Sequence, residues 1–257
     1  MKRNVVLAAL GRLAASLAAL TLLAMPALAG DRALLNVIGY SEDFKYLAFE
    51  EFGTFDGSGG QYSHIYIVNL SDDSWVKGTP FSVETSDDGG GDGTTLPTVR
   101  SKAMAQAAPV LKSLKIDVPA ETLILLGDGV AKADGRAMVV DAPSCCGPND
   151  TDDSIEVKLS LRTFPAKMTG ECQVDTALGY SLSAEFADGT TADLHTDGDT
   201  LPKSRSCPQD YRLYSVITPL GSGTNRVAII SSYPFDFEGT SRRFLAVPID
   251  PWSAGNQ

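Results

Sequence analysis

The chain has two histidines and four cysteines among 257 residues, fewer basic than acidic side chains, and one long apolar run, at its very start. Each shortage removes a class of function. A zinc site of the H-E-x-x-H type needs two histidines one helical turn apart and a third ligand, whereas His64 and His195 lie in opposite halves of the chain. No G-x-S-x-G elbow is present to mark a serine hydrolase. Gly57-Ser58-Gly59-Gly60 lacks the lysine and following helix of a phosphate-binding loop. The cysteines lack the paired C-x-x-C spacing of a zinc or copper centre. The sequence thus points away from an enzyme and names no catalytic residue.

The apolar run belongs to a secretory leader. Lys2 and Arg3 precede an Ala/Leu stretch that ends in Ala27-Leu28-Ala29, the pattern of a signal peptide cleaved before Gly30. Arg12 interrupts the run, which argues against an uncleaved anchor, and no cysteine follows the cleavage site to carry a lipid. No later stretch approaches the ~20 apolar residues of a membrane span. Residues 1–29 carry Lys2, Arg3 and Arg12 and no acid, so residues 30–257 hold 18 basic against 32 acidic side chains, a net charge of −14. Nucleic-acid binding draws its affinity from Lys and Arg on phosphates, and anionic lipid surfaces call for the same residues. Nucleic acid is thereby excluded as a partner, and anionic lipid surfaces are disfavoured. Cationic ligands, divalent metals and basic protein partners fit this charge.

An even cysteine count behind a signal peptide reads as disulfides. A bond between the adjacent Cys145 and Cys146 is strained and rare, so the expectation is that each bridges to one of Cys172 and Cys207, in either combination.

The remainder reads as a single β-rich domain over residues 30–257. Branched and aromatic runs at Phe44–Phe52, His64–Leu70, Thr122–Leu126, Ala137–Asp141, Ile155–Leu161, Tyr180–Phe186, Tyr211–Thr218, Val227–Ser232 and Phe244–Val247 are separated by Asp-Gly turns. Ile155–Leu161 alternates strictly, as in a sheet with one wet face. The prediction is mainly β, with antiparallel sheets arranged as a sandwich or a propeller-like array. Residues 82–95 are rich in Asp, Gly, Ser and Thr and read as a flexible loop. One amphipathic helix is predicted near 97–115, from Val99, Ala103, Ala107, Val110, Leu111 and Leu114, with Thr95 as cap, Pro97 in the first turn and Pro109 as a kink or break.

Two hairpins echo each other. Tyr46–Phe49, Phe52–Gly57 and Ile65–Val68 have the same order of strand, aromatic-acidic-glycine loop and strand as Val227–Ile230, Tyr233–Gly239 and Phe244–Val247. Loops on a rigid sheet often carry contacts, and aromatics supply interface energy. Phe55, Asp56, Phe235, Asp236 and Glu238 are therefore the candidate binding residues. The competing enzymatic reading is a periplasmic hydrolase using paired carboxylates, drawn from Glu50, Glu51 and Glu185, with His195 nearby. No cofactor motif is present. Calcium is the ion that the Asp-rich turns suit, at Asp87, Asp88 and Asp92, at Asp150, Asp152 and Asp153, or at Asp193, Asp197 and Asp199, although none forms a complete twelve-residue loop ending in Glu.

The segment Gly39-Tyr40-Ser41-Glu42-Asp43-Phe44-Lys45-Tyr46-Leu47-Ala48-Phe49 through Ile65-Tyr66-Ile67-Val68 resembles a β-propeller blade, with Phe44 where such blades carry Gly. Taken with the helix, Leu201-Pro202-Lys203-Ser204-Arg205 and Phe235-Asp236-Phe237-Glu238-Gly239, nearly the whole exported chain is similar to a bacterial family of predicted secreted proteins with a domain of unknown function. The resemblance implies a protein that acts in the periplasm or outside the cell on an envelope partner or ligand, and it assigns no catalytic residue.

Overall fold

The computed structural model describes residues 30–85, 94–127, 135–142, 155–222, 224–237 and 239–249. Among them, sixteen strands and one α-helix follow one another along the chain. The first group is β1 (Leu34–Ser41), β2 (Tyr46–Thr54), β3 (Gln61–Asn69), β4 (Ser74–Trp75), β5 (Phe81–Glu84), α1 (Leu96–Ser113) and β6 (Ile116–Val118). Then come β7 (Ala120–Leu125), β8 (Ala137–Ala142), β9 (Ile155–Met168), β10 (Ala177–Phe186), β11 (Thr191–Thr196) and β12 (Thr200–Leu201). A 3-10 turn at Lys203–Arg205 leads to β13 (Pro208–Pro219), β14 (Val227–Asp236), β15 (Gly239–Thr240) and β16 (Arg243–Pro248).

The strands form three sheets, antiparallel except where the short β12 runs parallel to β9. The first contains β1 to β6, the second β8 to β12, and the third β7 with β13 to β16. None closes into a barrel, and the layers stack as a sandwich with the third sheet in the middle. The alternation of side chains along β14 explains this order. Val227 and Ile229 pack against the first sheet, on Leu47, Phe49 and Tyr62. Ala228 and Ile230 pack against the second, on Leu159, Tyr180 and Leu182. A strand apolar on both faces must be covered on both. The outer β9 buries Val157, Leu159 and Leu161 and exposes Lys158, the one-sided pattern that its sequence predicts.

The helix covers the far face of the first sheet, where Val99, Ala103, Ala107 and Leu111 are buried, the last three of them against Ala48, Ile65 and Ile67. Pro109 does not divide it: one helix runs from Leu96 to Ser113. Pro109 and Ala105 both lie on the exposed side, where water can serve the carbonyl that the proline cannot. Thr95 is the N-cap residue but makes no capping bond to the backbone. The stretch expected as loop from Ser82 opens as strand, because β5 pairs with β3 through His64–Ser82 and Ser63–Val83.

The disulfide expectation is corrected. Cys172 bonds Cys207, with Cα atoms 5.7 Å apart, well inside the bridging range. The bond ties the chain ahead of β10 to the residue before β13. Cys145 and Cys146 lie outside the described residues.

Candidate functional site

Two recesses meet at Arg243, the first residue of β16. The outer one is an open cleft of about 600 Å3 lined by Asp31, Phe55, Asp56, Glu84, Asp236 and Phe237, with Arg243 at its base. It is built by the two echoing loops. After β2 the chain reverses through Gly57 and Gly59, both at positive φ, which glycine adopts without steric cost. Phe55 then tilts onto Tyr62 with ring centroids 4.6 Å apart, and the Asp56 N–H donates to Asp31 at 2.5 Å. After β14, Asp236 holds its own turn, accepting from the Phe237 N–H at 2.7 Å and the Ser241 hydroxyl at 2.5 Å. That leaves Phe237 projecting at 91% exposure. Of the candidate binding residues, Phe55, Asp56 and Asp236 thus share one cleft. Phe235 does not line it, and Glu238 is outside the described residues. Nothing in the sequence marks Asp31, Glu84 or Arg243: Asp31 and Glu84 lie on segments outside both loops, and Arg243 opens β16 just after the second.

The inner recess, about 250 Å3, lies where the sheets meet. Glu51 and His64 face each other across β2 and β3 and line it with Tyr66, Trp75, Arg205 and Arg243. Glu51 is 1% exposed. One carboxyl oxygen accepts the Phe244 N–H, and the other, Oε2, has no hydrogen-bond partner among the described residues. Burial raises its pKa from 4.5 to about 7 against the pull of Arg243, the Phe244 N–H and Tyr66. Burial also lowers the pKa of His64, although its Nε2 lies 2.9 Å from Glu84.

Arg205 comes from the 3-10 turn. Its Nη2 donates to Asp197 at 2.9 Å, and its guanidinium lies against the Tyr180 and Tyr211 hydroxyls. Beside it a further pocket of about 230 Å3, sharing Trp75, Ser204, Arg205 and Leu245, is lined by Asp73, Tyr180 and His195. His195 lies 3.1 Å from both Asp73 and Asp197 and stacks on Tyr180. Burial works against its charge, but the two carboxylates outweigh it and push its pKa up to about 9. His195 is therefore a cation at neutral pH with both ring nitrogens engaged, a poor arrangement for a general base.

The carboxylates named for hydrolysis are not brought together. Glu50 and Glu51 are neighbours on a strand and so face opposite ways. Glu50 points beneath the helix, where Arg100 grips it with Nε at 2.9 Å and Nη2 at 2.7 Å. Glu185 is half exposed on the second sheet, 3.2 Å from Lys158. Of the Asp clusters considered for calcium, only Asp193, Asp197 and Asp199 are described, and Asp197 is committed to Arg205 and His195. No group of three or more metal-binding side chains occurs among the described residues.

The described residues form a layered β-sandwich with recesses at its seams, in which the carboxylates named for hydrolysis stand apart. Residues 48–250 match the family of predicted secreted proteins DUF2259, and the chain belongs to that family. No curated protein and no solved structure matches the chain. No helix among the described residues is long and apolar enough to cross a membrane.

Proposed function

We propose that this secreted protein is a non-enzymatic binding module of the bacterial envelope, and that its outer cleft docks a cationic segment of a partner. The observation that carries this reading is the convergence of Phe55 and Asp56 with Asp236 and Phe237, from loops at opposite ends of the fold's sequence, around one cleft. Phe237 offers a large apolar surface to a partner, and Asp31, Asp56, Glu84 and Asp236 surround it with carboxylates. Aromatic anchors ringed by charge suit recognition of Lys- or Arg-rich chains.

The test is fluorescence anisotropy with a labelled Lys/Arg-rich peptide and an Asp/Glu-rich control. The basic peptide should bind, and binding should weaken steeply between low and physiological salt. Phe237→Ala should lower affinity at least tenfold, and Asp56→Asn several-fold. Equal binding of both peptides, or no effect of Phe237→Ala, overturns the reading.

A further inference from the structure

We propose that the free edge of β16 is a docking site for an extended segment of a partner polypeptide, which adds there as a further strand of the middle sheet. This inference stands independently of the outer cleft. β16 pairs with β14 on one side, and no strand among the described residues pairs with its other side. In an antiparallel pair, successive residues aim their N–H and C=O groups alternately at the partner strand and away from it. The phase is fixed at both ends of β16. The Ser241 and Ile249 N–H groups donate to the carbonyls of Pro234 and Arg226, each at 3.0 Å, within and just before β14, so odd-numbered residues face β14. Even-numbered residues face away. The Arg242 N–H donates to the Asp31 carbonyl at 2.6 Å, and the Phe244 N–H donates to Glu51. Ala246 is next in this series, and its N–H and C=O have no partner among the described residues.

Unpaired backbone groups this far inside a protein are rare, since Ala246 is only 8% exposed. They open on a recess. Leu245, Ala246 and Val247 in succession line the pocket of about 230 Å3 beside Arg205. Successive side chains leave a strand on opposite faces, so three in a row bound one recess through the backbone edge. The walls are the two outer layers, with Val68 and Trp75 from the first sheet and Tyr180 and His195 from the second. The recess therefore stands where the next strand of the middle sheet would lie. The inner recess continues it along Arg243 to Leu245, so the two follow the edge for about 14 Å at ~3.4 Å per residue. The charged groups along this path are engaged: Asp73 with His195 at 3.1 Å, Arg205 with Asp197 at 2.9 Å, Arg243 with the Tyr62 hydroxyl at 3.0 Å, and Glu51 with the Phe244 N–H. What remains unmet is main chain, and an extended main chain is its complement. The setting also selects the occupant. β16 of a second folded copy is set back between its own outer layers and cannot reach this edge, whereas a single extended segment can. Val68, Trp75 and Tyr180 favour β-branched or aromatic side chains on that segment.

The test uses three labelled hexapeptides that alternate threonine with valine, isoleucine or tyrosine, titrated into the purified exported protein and followed by fluorescence anisotropy. Their side chains carry no charge, so they do not probe the cationic preference of the outer cleft. At least one should bind saturably, and it should slow amide hydrogen exchange at Ala246 at least tenfold, with a smaller change at Val247, which faces β14. An added strand bonds through one of its own two edges. N-methylation of the bound peptide at one set of alternate residues should therefore weaken it at least tenfold, and methylation of the other set should weaken it little. Ala246→Pro deletes the outward N–H and spares the ladder to β14, a position at which edge strands accept proline, and should weaken binding at least tenfold. Should Ala246→Pro unfold the protein, the two methylated peptides decide the matter on the parent. The proposal is overturned if none of the peptides binds, if both methylated forms bind alike, if exchange at Ala246 is unmoved, or if sedimentation shows a dimer that Ala246→Pro dissolves, which assigns the edge to a second copy.

Discussion

Glu50 and Glu51 stand side by side on one strand, and among the described residues only the first has a cation in salt-bridge contact. Arg100 clamps Glu50 through two bonds, helped by the Ser63 hydroxyl at 2.8 Å. Burial works to raise the Glu50 pKa, but these donors outweigh it and hold it below the ordinary value. Glu51, facing the other layer, is held well above that value. The direction in which a side chain leaves the pleat therefore decides its charge state.

Removing the clamp should expose that difference. Arg100→Ala leaves Glu50 buried and unpaired, a loss of about 3 kcal/mol for a broken buried pair. Urea unfolding should show a lower midpoint with an unchanged slope. Adding Glu50→Gln should recover part of the loss, because the uncompensated charge is gone.

Glu51 gives the opposite result. Its pKa is raised in the fold, so the folded state binds its proton more tightly than the unfolded state does between pH 4.5 and 7. Its contribution to stability is greatest below 4.5 and is lost as pH rises through about 7, a change of about 3 kcal/mol. Glu51→Gln should therefore melt higher than the parent at pH 8, and the gap should close toward pH 4.5. A parent that melts higher at pH 8 contradicts the assignment.

His195 acts in a higher window with the same sign. Its folded value of about 9 against an ordinary 6.5 means that its ion pairs stabilise fully below pH 6.5 and fade as pH rises through 9. The amount is on the order of 3 kcal/mol. Thermal melts of His195→Gln should lose the pH dependence between 6.5 and 9 that the parent shows.

The disulfide should matter twice over. Closing a loop of 35 residues' separation contributes about 4 kcal/mol by the chain-entropy argument, whose mechanism is disputed. Ser206 and Cys207 both adopt positive φ, so the bond also anchors a strained backbone next to Arg205. Cys172→Ser with Cys207→Ser should lower the melting temperature and raise hydrogen exchange at Ser204–Cys207 more than in β14.

The sheets are legible in the sequence where periodicity is unambiguous. The helix stripe from Val99 to Leu111, the alternation of Val157–Leu161 and the apolar run of β14 each appear as expected, and the two aromatic-acidic loops stand out by their echo. Short edge strands such as β4, β6 and β12 are not legible, because two or three residues carry no period. Asp31, Glu84 and Arg243 are not legible either, because they stand outside the two loops and carry no motif of their own. The cysteine pairing differs from the expectation because avoidance of an adjacent bond says nothing about which distant pair meets, and the fold sets Cys172 and Cys207 close together.

The middle sheet takes β7 from one side of the chain's second sheet and β13 to β16 from the other. The first sheet is complete by residue 118 and the second by residue 201, so each can pair its strands before the last segment of the chain takes part. The layer that both must bury against cannot exist until Pro208–Pro248 arrives. Pairing β7 with β13 is a long-range closure of the kind that slows folding. The last strands thus set when the protein becomes one body, and until then two apolar faces stand open to water.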